Sequence, residues 1–202
     1  MSAFIAPVTL TGRHAQLEPL STEHIPELAA AVVDGELWKL WYTFAPRPET
    51  VESYVQSALE MRATQHAMPF AIRAMREGKP AEVVGTTRLF NVDPVNRRLE
   101  IGQTWHARSV QRTAINTECK QMLLTHAFEQ LDCIAVEFRT HWLNHQSRAA
   151  IERLGAKQDG ILRNHMRMPD GSLRDTVVFS IIASEWAAVK RHLSFLLDRT
   201  RC

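Results

Sequence analysis

This chain has no run of five or more basic residues, no Cys-x-x-Cys pair and no apolar stretch near the ~20 residues that a membrane helix needs. Each absence removes a class of function. With 24 Lys and Arg against 22 Asp and Glu, the net charge is only +2, which does not suggest a dedicated nucleic-acid binder. The three cysteines, Cys119, Cys133 and Cys202, cannot all pair with one another, so the expected compartment is a reducing one, the cytoplasm. The N-terminus lacks a basic region followed by a long apolar stretch, so no signal peptide is indicated. Repeats, low-complexity segments and an obvious interdomain linker are also missing. What remains is 45% hydrophobic and 23% charged content over 202 residues. That composition fits an ordinary globular protein, long enough to bury a sizeable core and expected to form a single domain over residues 1–202.

Strands dominate the first half and alternate with helices afterwards. Val8-Thr9-Leu10 and His14 to Glu18 read as short strands around the turn residue Gly12. Ser21 or Thr22 can cap a helix with Pro26 in its first turn, and Asp34-Gly35 stops it. Leu37 to Phe44 is dense in aromatics and precedes Pro46 and Pro48, so it is a short helix or a loop. Glu49 to Ala63 has helical spacing. A meander follows: Phe70 to Met75, a turn at Glu77-Gly78-Lys79-Pro80, Val83 to Leu89, and Arg98 to Trp105 after a break at Asp93-Pro94. Leu99-Glu100-Ile101-Gly102 then leads into a polar loop, Arg108 to Asn116, which opens a helix over Thr117 to Phe128. Ile134 to Thr140 is a strand and Asn144 to Gly155 a helix. Ile161 to Met168 and Thr176 to Ile182 are strands about a turn at Pro169-Asp170-Gly171, and Ser184 caps a last helix. This order makes the fold mixed α/β.

A strand that delivers its chain through a polar loop to a helix N-terminus is a ready anion site. Free backbone N–H groups and the helix dipole both point at the loop. The same residues, Gln111 to Asn116, would serve equally as a plain polar turn. Asn144 is a good N-cap, and Ser147 and Ile151 follow at spacings that place all three on one helix face. His141-x-x-x-His145 has the spacing of two metal ligands on one helix. However, His141 ends a strand and His145 begins a helix, so no metal site is expected.

Taken together, Leu99 to Phe128, Asn144-x-x-Ser147 with Glu152-Arg153-Leu154-Gly155, and Arg174 to Ser180 with Glu185-Trp186 resemble the GNAT N-acetyltransferases, in particular their RimJ/RimL-like branch. The resemblance runs from about Leu10 to Trp186. It implies a central, twisted, mostly antiparallel sheet with helices on both faces. It also implies an acetyl-CoA-dependent transfer of an acetyl group to a primary amine, on a protein N-terminus, a polyamine or another small molecule. Acetyl-CoA and the amine would be the partners, with no metal, nucleic acid or membrane. A homodimer is one possible assembly. A catalytically silent CoA-binding or regulatory module with the same fold is the alternative.

The family's pyrophosphate loop, Arg/Gln-x-x-Gly-x-Gly/Ala, corresponds here to Gln111, Arg112, Thr113, Ala114, Ile115 and Asn116, with Thr117 following. Gln111 matches, Ala114 stands where the family prefers Gly, and Asn116 where it prefers Gly or Ala. Asn116 tolerates a left-handed backbone and can cap the helix. Asn144 would flank the pantetheine. Ile151 replaces a Tyr that in many relatives protonates the leaving thiolate, and the resemblance gives that place to Ser147. Backbone N–H groups near Thr104 and Trp105 would hold the thioester oxygen. Glu100 is either a salt-bridged strand carboxylate or the base that takes the ammonium proton. Trp38 and Trp41, with Phe44, are core or acceptor-pocket residues, and His165 and Asp175 face the acceptor or are structural. Asp175 is also the competing base. Cys119 and Cys133 have no His and carboxylate in a recognisable arrangement, so a direct transfer is expected.

Overall fold

The computed structural model describes residues 4–78 and 80–199, so Cys202, and Lys79 of the expected turn, lie outside the described residues. Eight strands form one sheet in the order β1-β2-β3-β4-β5-β6-β8-β7. They are β1 (Leu10–Thr11), β2 (Ala15–Pro19), β3 (Ala67–Ala74), β4 (Glu82–Asp93), β5 (Arg98–His106), β6 (Ala135–His141), β7 (Lys157–Arg167) and β8 (Leu173–Ile182). Every pairing is antiparallel except β5 with β6. In β3, Ala67 to Ile72 are buried without alternation, as is Val83 to Leu89 in β4. A strand buried at consecutive residues is covered on both faces, which is the arrangement of helices the resemblance implied. No helix among the described residues is long and apolar enough to cross a membrane.

The helices are α1 (Ile25–Val33), α2 (Val51–Ala63), α3 (Ala114–Thr125), α4 (His145–Glu152) and α5 (Trp186–Arg199). Helix α1 packs on β4 and α2 on β3, while α3 packs on β2 and α5. Pro26 occupies the first turn of α1, where its missing N–H costs nothing. Leu37–Lys39 is a single 3-10 turn, entered through Glu36 in a left-handed conformation. Phe70, Leu17, Ile72, Leu99, Ile101 and Phe179 are among the fully buried side chains at the centre.

Several boundaries differ from the sequence reading: β3 starts at Ala67, β7 at Lys157 and β8 at Leu173, each three or four residues early, and β4 runs on to Asp93. Helix α3 begins at Ala114, three residues before the expected Thr117, and passes into a π-turn at His126–Gln130. The cap is Thr113, whose hydroxyl accepts from the Ile115 N–H at 3.4 Å and donates to the Val110 carbonyl at 2.7 Å. Asn116 is therefore inside the first turn and caps nothing. Ser184 similarly falls inside a 3-10 turn, Ala183–Glu185, ahead of α5.

Candidate active site

Strands β5 and β6 pair in parallel at three positions only: Arg98 with Ala135, Leu99 with Val136 and Glu100 with Glu137. Beyond Glu100 both strands continue but no longer pair. The wedge between them opens into a cavity of about 790 Å³ that reaches the N-terminus of α3. Where the strands part, β5 also carries a bulge: Thr86 faces Trp105 while Arg88 faces Gly102, so Gln103 and Thr104 together oppose Thr87. Gln103 takes a left-handed conformation, φ 50°. The Tyr54 hydroxyl holds Thr86 at 2.8 Å on one side of this bulge. On the other, the Lys120 ammonium donates to the hydroxyls of Thr104 at 2.8 Å and Thr87 at 3.3 Å. Thr104 and Trp105 both line the cavity, as expected.

The loop before α3 makes its sharp turn at Arg112, φ 61°, not at Ala114. Ala114 has an ordinary helical backbone, so the Gly that the family prefers there is not needed for this turn. Gln111, Arg112, Thr113, Ala114, Asn116 and Thr117 line the cavity; Ile115 instead points its side chain into the core. The Gln111 side chain bends back and donates to the His106 carbonyl at 3.2 Å. The Asn116 Oδ1 is buried with no hydrogen-bond partner. Arg153, from the end of α4, donates to the Thr117 hydroxyl at 3.0 Å and adds a second cation beside Arg112.

Asn144 caps α4 by accepting the Ser147 N–H at 3.0 Å. Asn144, Ser147 and Ile151 all line the cavity, which the shared helix face required.

Glu100 stands at the point where β5 and β6 part, and it is buried. Its carboxylate accepts from Asn91 Nδ2 at 2.8 Å and lies 3.5 Å from Arg139 Nε. Burial raises its pKa above the usual carboxylate range, with Asn91 and Arg139 opposing. His165 also lines this part of the cavity, its Nδ1 3.0 Å from the Thr176 hydroxyl.

Besides Ile115, three expected residues lie elsewhere. Asp175 is not in the cavity wall. Successive strand residues point to opposite faces, and Arg174 and Thr176 take the cavity side of β8. Asp175 instead binds Arg163 at 2.5 Å and the Asn164 N–H at 2.7 Å, contacts that lower its pKa. It is thus a salt-bridged carboxylate away from the acceptor space. Trp38 packs against the core. Trp41 is half exposed and stacks edge-on against His141 at 4.9 Å, so it backs a wall residue without being one. Phe44, by contrast, lines the cavity.

The sequence reading missed Lys120, His106, Arg139, His141 and Arg174, all in the cavity wall. For Lys120 a signal existed: it sits three and four residues before Leu123 and Leu124, a lysine on an apolar helix face. Burial lowers its pKa to about 8 and that of the adjacent His106 to about 3. The sequence marks His141 only as half of a metal pair and Arg174 only as part of a motif, while for Arg139 no local pattern exists.

The family described as acetyltransferase (GNAT) domain matches residues 15–157. The chain belongs to the GNAT acetyltransferase family. It is 30% identical over 176 residues to "Putative ribosomal N-acetyltransferase YdaF" of Bacillus subtilis (strain 168), covering 86% of this chain and 92% of that one. A GCN5-related N-acetyltransferase from Brucella melitensis superposes with a TM-score of 0.84 at 29% identity, over 96% of this chain and 86% of the other. The acetyltransferase from Salmonella typhimurium described as modifying the N-terminal serine of ribosomal protein L7/L12 shares the fold. Its TM-score is 0.74 at 19% identity, over 87% and 99% of the two chains.

Proposed function

We propose that this acetyltransferase moves the acetyl group of acetyl-CoA directly to a primary amine. The parting of β5 and β6 beyond Glu100 carries the reading. Two strands that separate within a sheet leave backbone N–H and C=O groups free to pair with an extended amide chain, which is what the pantetheine arm is. At the far end, first-turn N–H groups of α3, with Arg112 and Arg153 beside them, suit a pyrophosphate.

Within this reading Glu100 takes a proton from the ammonium of the acceptor, directly or through a water. Burial places its pKa closer to neutrality, where a base works best. The amine nitrogen then forms the N–C bond, N–H groups near Thr104 and Trp105 hold the developing oxyanion, and the C–S bond breaks. The departing thiolate, hydrogen-bonded by the Ser147 hydroxyl, takes up the second amine proton, which the nitrogen loses as the amide forms; Asn144 lies along the pantetheine. Cys119 and Cys133 are buried, with pKa values pushed up to about 12 and about 11, which is the wrong direction for a thiolate nucleophile.

The acceptor in this reading is a protein N-terminal amine, as the Salmonella relative's description states for that protein, or a small-molecule amine. The same reading places the enzyme in the cytoplasm, where buried thiols such as Cys119 stay reduced. A homodimer is the assembly to look for by sedimentation. The deciding experiment follows free thiol release from acetyl-CoA across a panel of peptide and small amines. Amine-dependent release supports transfer; CoA binding without release by any amine would leave a silent CoA-binding module.

A further inference from the structure

We propose that the acceptor carries a carboxylate close to its reactive amine, and that Arg174 receives that carboxylate. The amine half of this proposal rests on the transferase reading above; the anion site stands on its own geometry.

Charge in the cavity wall is one-sided. Among the described residues, six Lys and Arg line it against a single carboxylate, Glu100. Most of these cations are accounted for. Arg112 lies in the loop that opens α3, Arg153 follows the last residue of α4, and Arg199 ends α5. Lys120 holds the threonine hydroxyls at the bulge. Arg139 is paired with Glu137 at 2.8 Å and with Glu100 at 3.5 Å.

Arg174 is left. It is 8% exposed, and among the described residues its only side-chain hydrogen bond runs from Nε to the Thr176 hydroxyl at 2.9 Å. The guanidinium carbon lies 5.6 Å from the centre of the Phe44 ring. No carboxylate of the described residues lies within 4.0 Å of it, Glu100 being held by Asn91 and Arg139 instead. Glu100 is the carboxylate whose charge acts on Arg174, but from beyond ion-pair distance, and burial still lowers the pKa of the guanidinium. A guanidinium taken out of water with no ion pair of its own is costly, and arginine cannot escape the cost by losing its proton. Its terminal N–H groups are free to take an anion, and their fork matches a carboxylate.

Two neighbours extend the donor set. His141 Nδ1 accepts the Leu143 N–H at 3.0 Å, so the neutral ring carries its proton on Nε2. That Nε2 is buried and has no partner. Burial, and then the charge of Arg174, keep His141 neutral. The Thr176 hydroxyl accepts from Arg174 and lies 3.0 Å from His165 Nδ1; in the tautomer in which its proton goes to that nitrogen, His165 is a donor at Nε2. Arg174, His141 and His165 therefore present donors, and Glu100 alone presents an acceptor. An amine accompanied by a carboxylate matches both. Such a carboxylate can be the α-carboxylate of a free amino acid or the side chain of an acidic N-terminal residue.

The test compares kcat/KM for two matched pairs in the presence of acetyl-CoA: aspartate against asparagine amide, and a peptide beginning with Asp against one beginning with Asn. The carboxylate-bearing member should win by roughly ten- to a hundredfold, the weight of a charge-assisted hydrogen-bonded pair. The pair that shows the difference names the source. Arg174→Gln should erase the preference while leaving the acetyl-CoA-induced thermal shift intact, and Arg174→Lys, which keeps the charge, should retain part of it. Equal rates within both pairs in the wild-type protein, or a preference that survives Arg174→Gln, overturns the proposal. If no amine is acetylated, the transferase reading fails separately. The anion site is then read from the thermal shift given by aspartate to the CoA-loaded protein: loss of that shift in Arg174→Gln supports the site, and no shift in the wild type, or one unchanged in the variant, overturns it.

Discussion

The Lys120 ammonium donates to the Thr104 hydroxyl at 2.8 Å, at the bulge in the pairing of β4 with β5. A lysine so enclosed loses its proton at about 8 in the folded protein, against an ordinary value of 10.5. Between those values the unfolded chain binds the extra proton, so this residue's contribution to stability rises with pH. The wild-type protein should therefore gain stability relative to Lys120→Met from pH 8 to pH 10.5, as measured by urea denaturation of both. Parallel stability curves over that range would show that Lys120 is not enclosed as described. His106, lowered to about 3, acts at the other end: its contribution should be lost as pH falls from its ordinary value of 6.5.

Gly12 and Glu118 form a second long-range junction. The Glu118 carboxylate accepts the backbone N–H groups of Arg13 at 2.9 Å, His14 at 2.6 Å and Ala15 at 2.8 Å. A Cβ on Gly12 would come within 2.4 Å of its carboxyl carbon. Glu118→Ala strands these donors and should destabilise the fold by roughly 3 kcal/mol or more. Gly12→Ala should also destabilise, through the clash. Thermal melts within a degree or two of wild type for both variants would contradict this junction.

At the phosphate loop, Ala114→Asp places a carboxylate on the first residue of α3. A negative charge there favours the helix itself, so the ligand-free protein should melt no lower. The thermal shift given by CoA, which follows its concentration relative to Kd, should disappear. A retained shift would move the pyrophosphate elsewhere.

Ser147→Ala separates binding from chemistry. If the hydroxyl meets the departing thiolate through one hydrogen bond, kcat should fall roughly ten- to a hundredfold with little change in acetyl-CoA affinity. Wild-type turnover in this variant would make Ser147 an ordinary helix serine.

Glu100 is read through the pH profile. Since burial raises its pKa, the rising limb of kcat/KM should lie above the usual carboxylate range, and Glu100→Gln should remove it while CoA affinity holds. Two acceptors of different pKa decide the matter. A limb that moves with the acceptor and persists in Glu100→Gln assigns the titration to the amine.

What the sequence alone determined was local. Residue alternation, turn residues and caps act over a few neighbours, and they located every strand and helix to within a few residues. Asn144, Ser147 and Ile151 shared a face because helical spacing dictates it, and they line the cavity together. The start of α3 was misjudged because Thr113, Asn116 and Thr117 are all plausible caps in sequence, and only the fold of the loop at Arg112 chooses among them. The acceptor half of the site was decided by tertiary structure alone. Glu100, Arg139 and Arg174 come from three strands, and nothing in their own neighbourhoods shows that β6 lies between β5 and β8. Strand parity then placed Arg174 in the cavity and turned Asp175 away, a distinction of one residue that depends on which face of the sheet opens. Chain pattern specifies which elements form; the strand order and the parting of β5 from β6 specify which of their side chains meet.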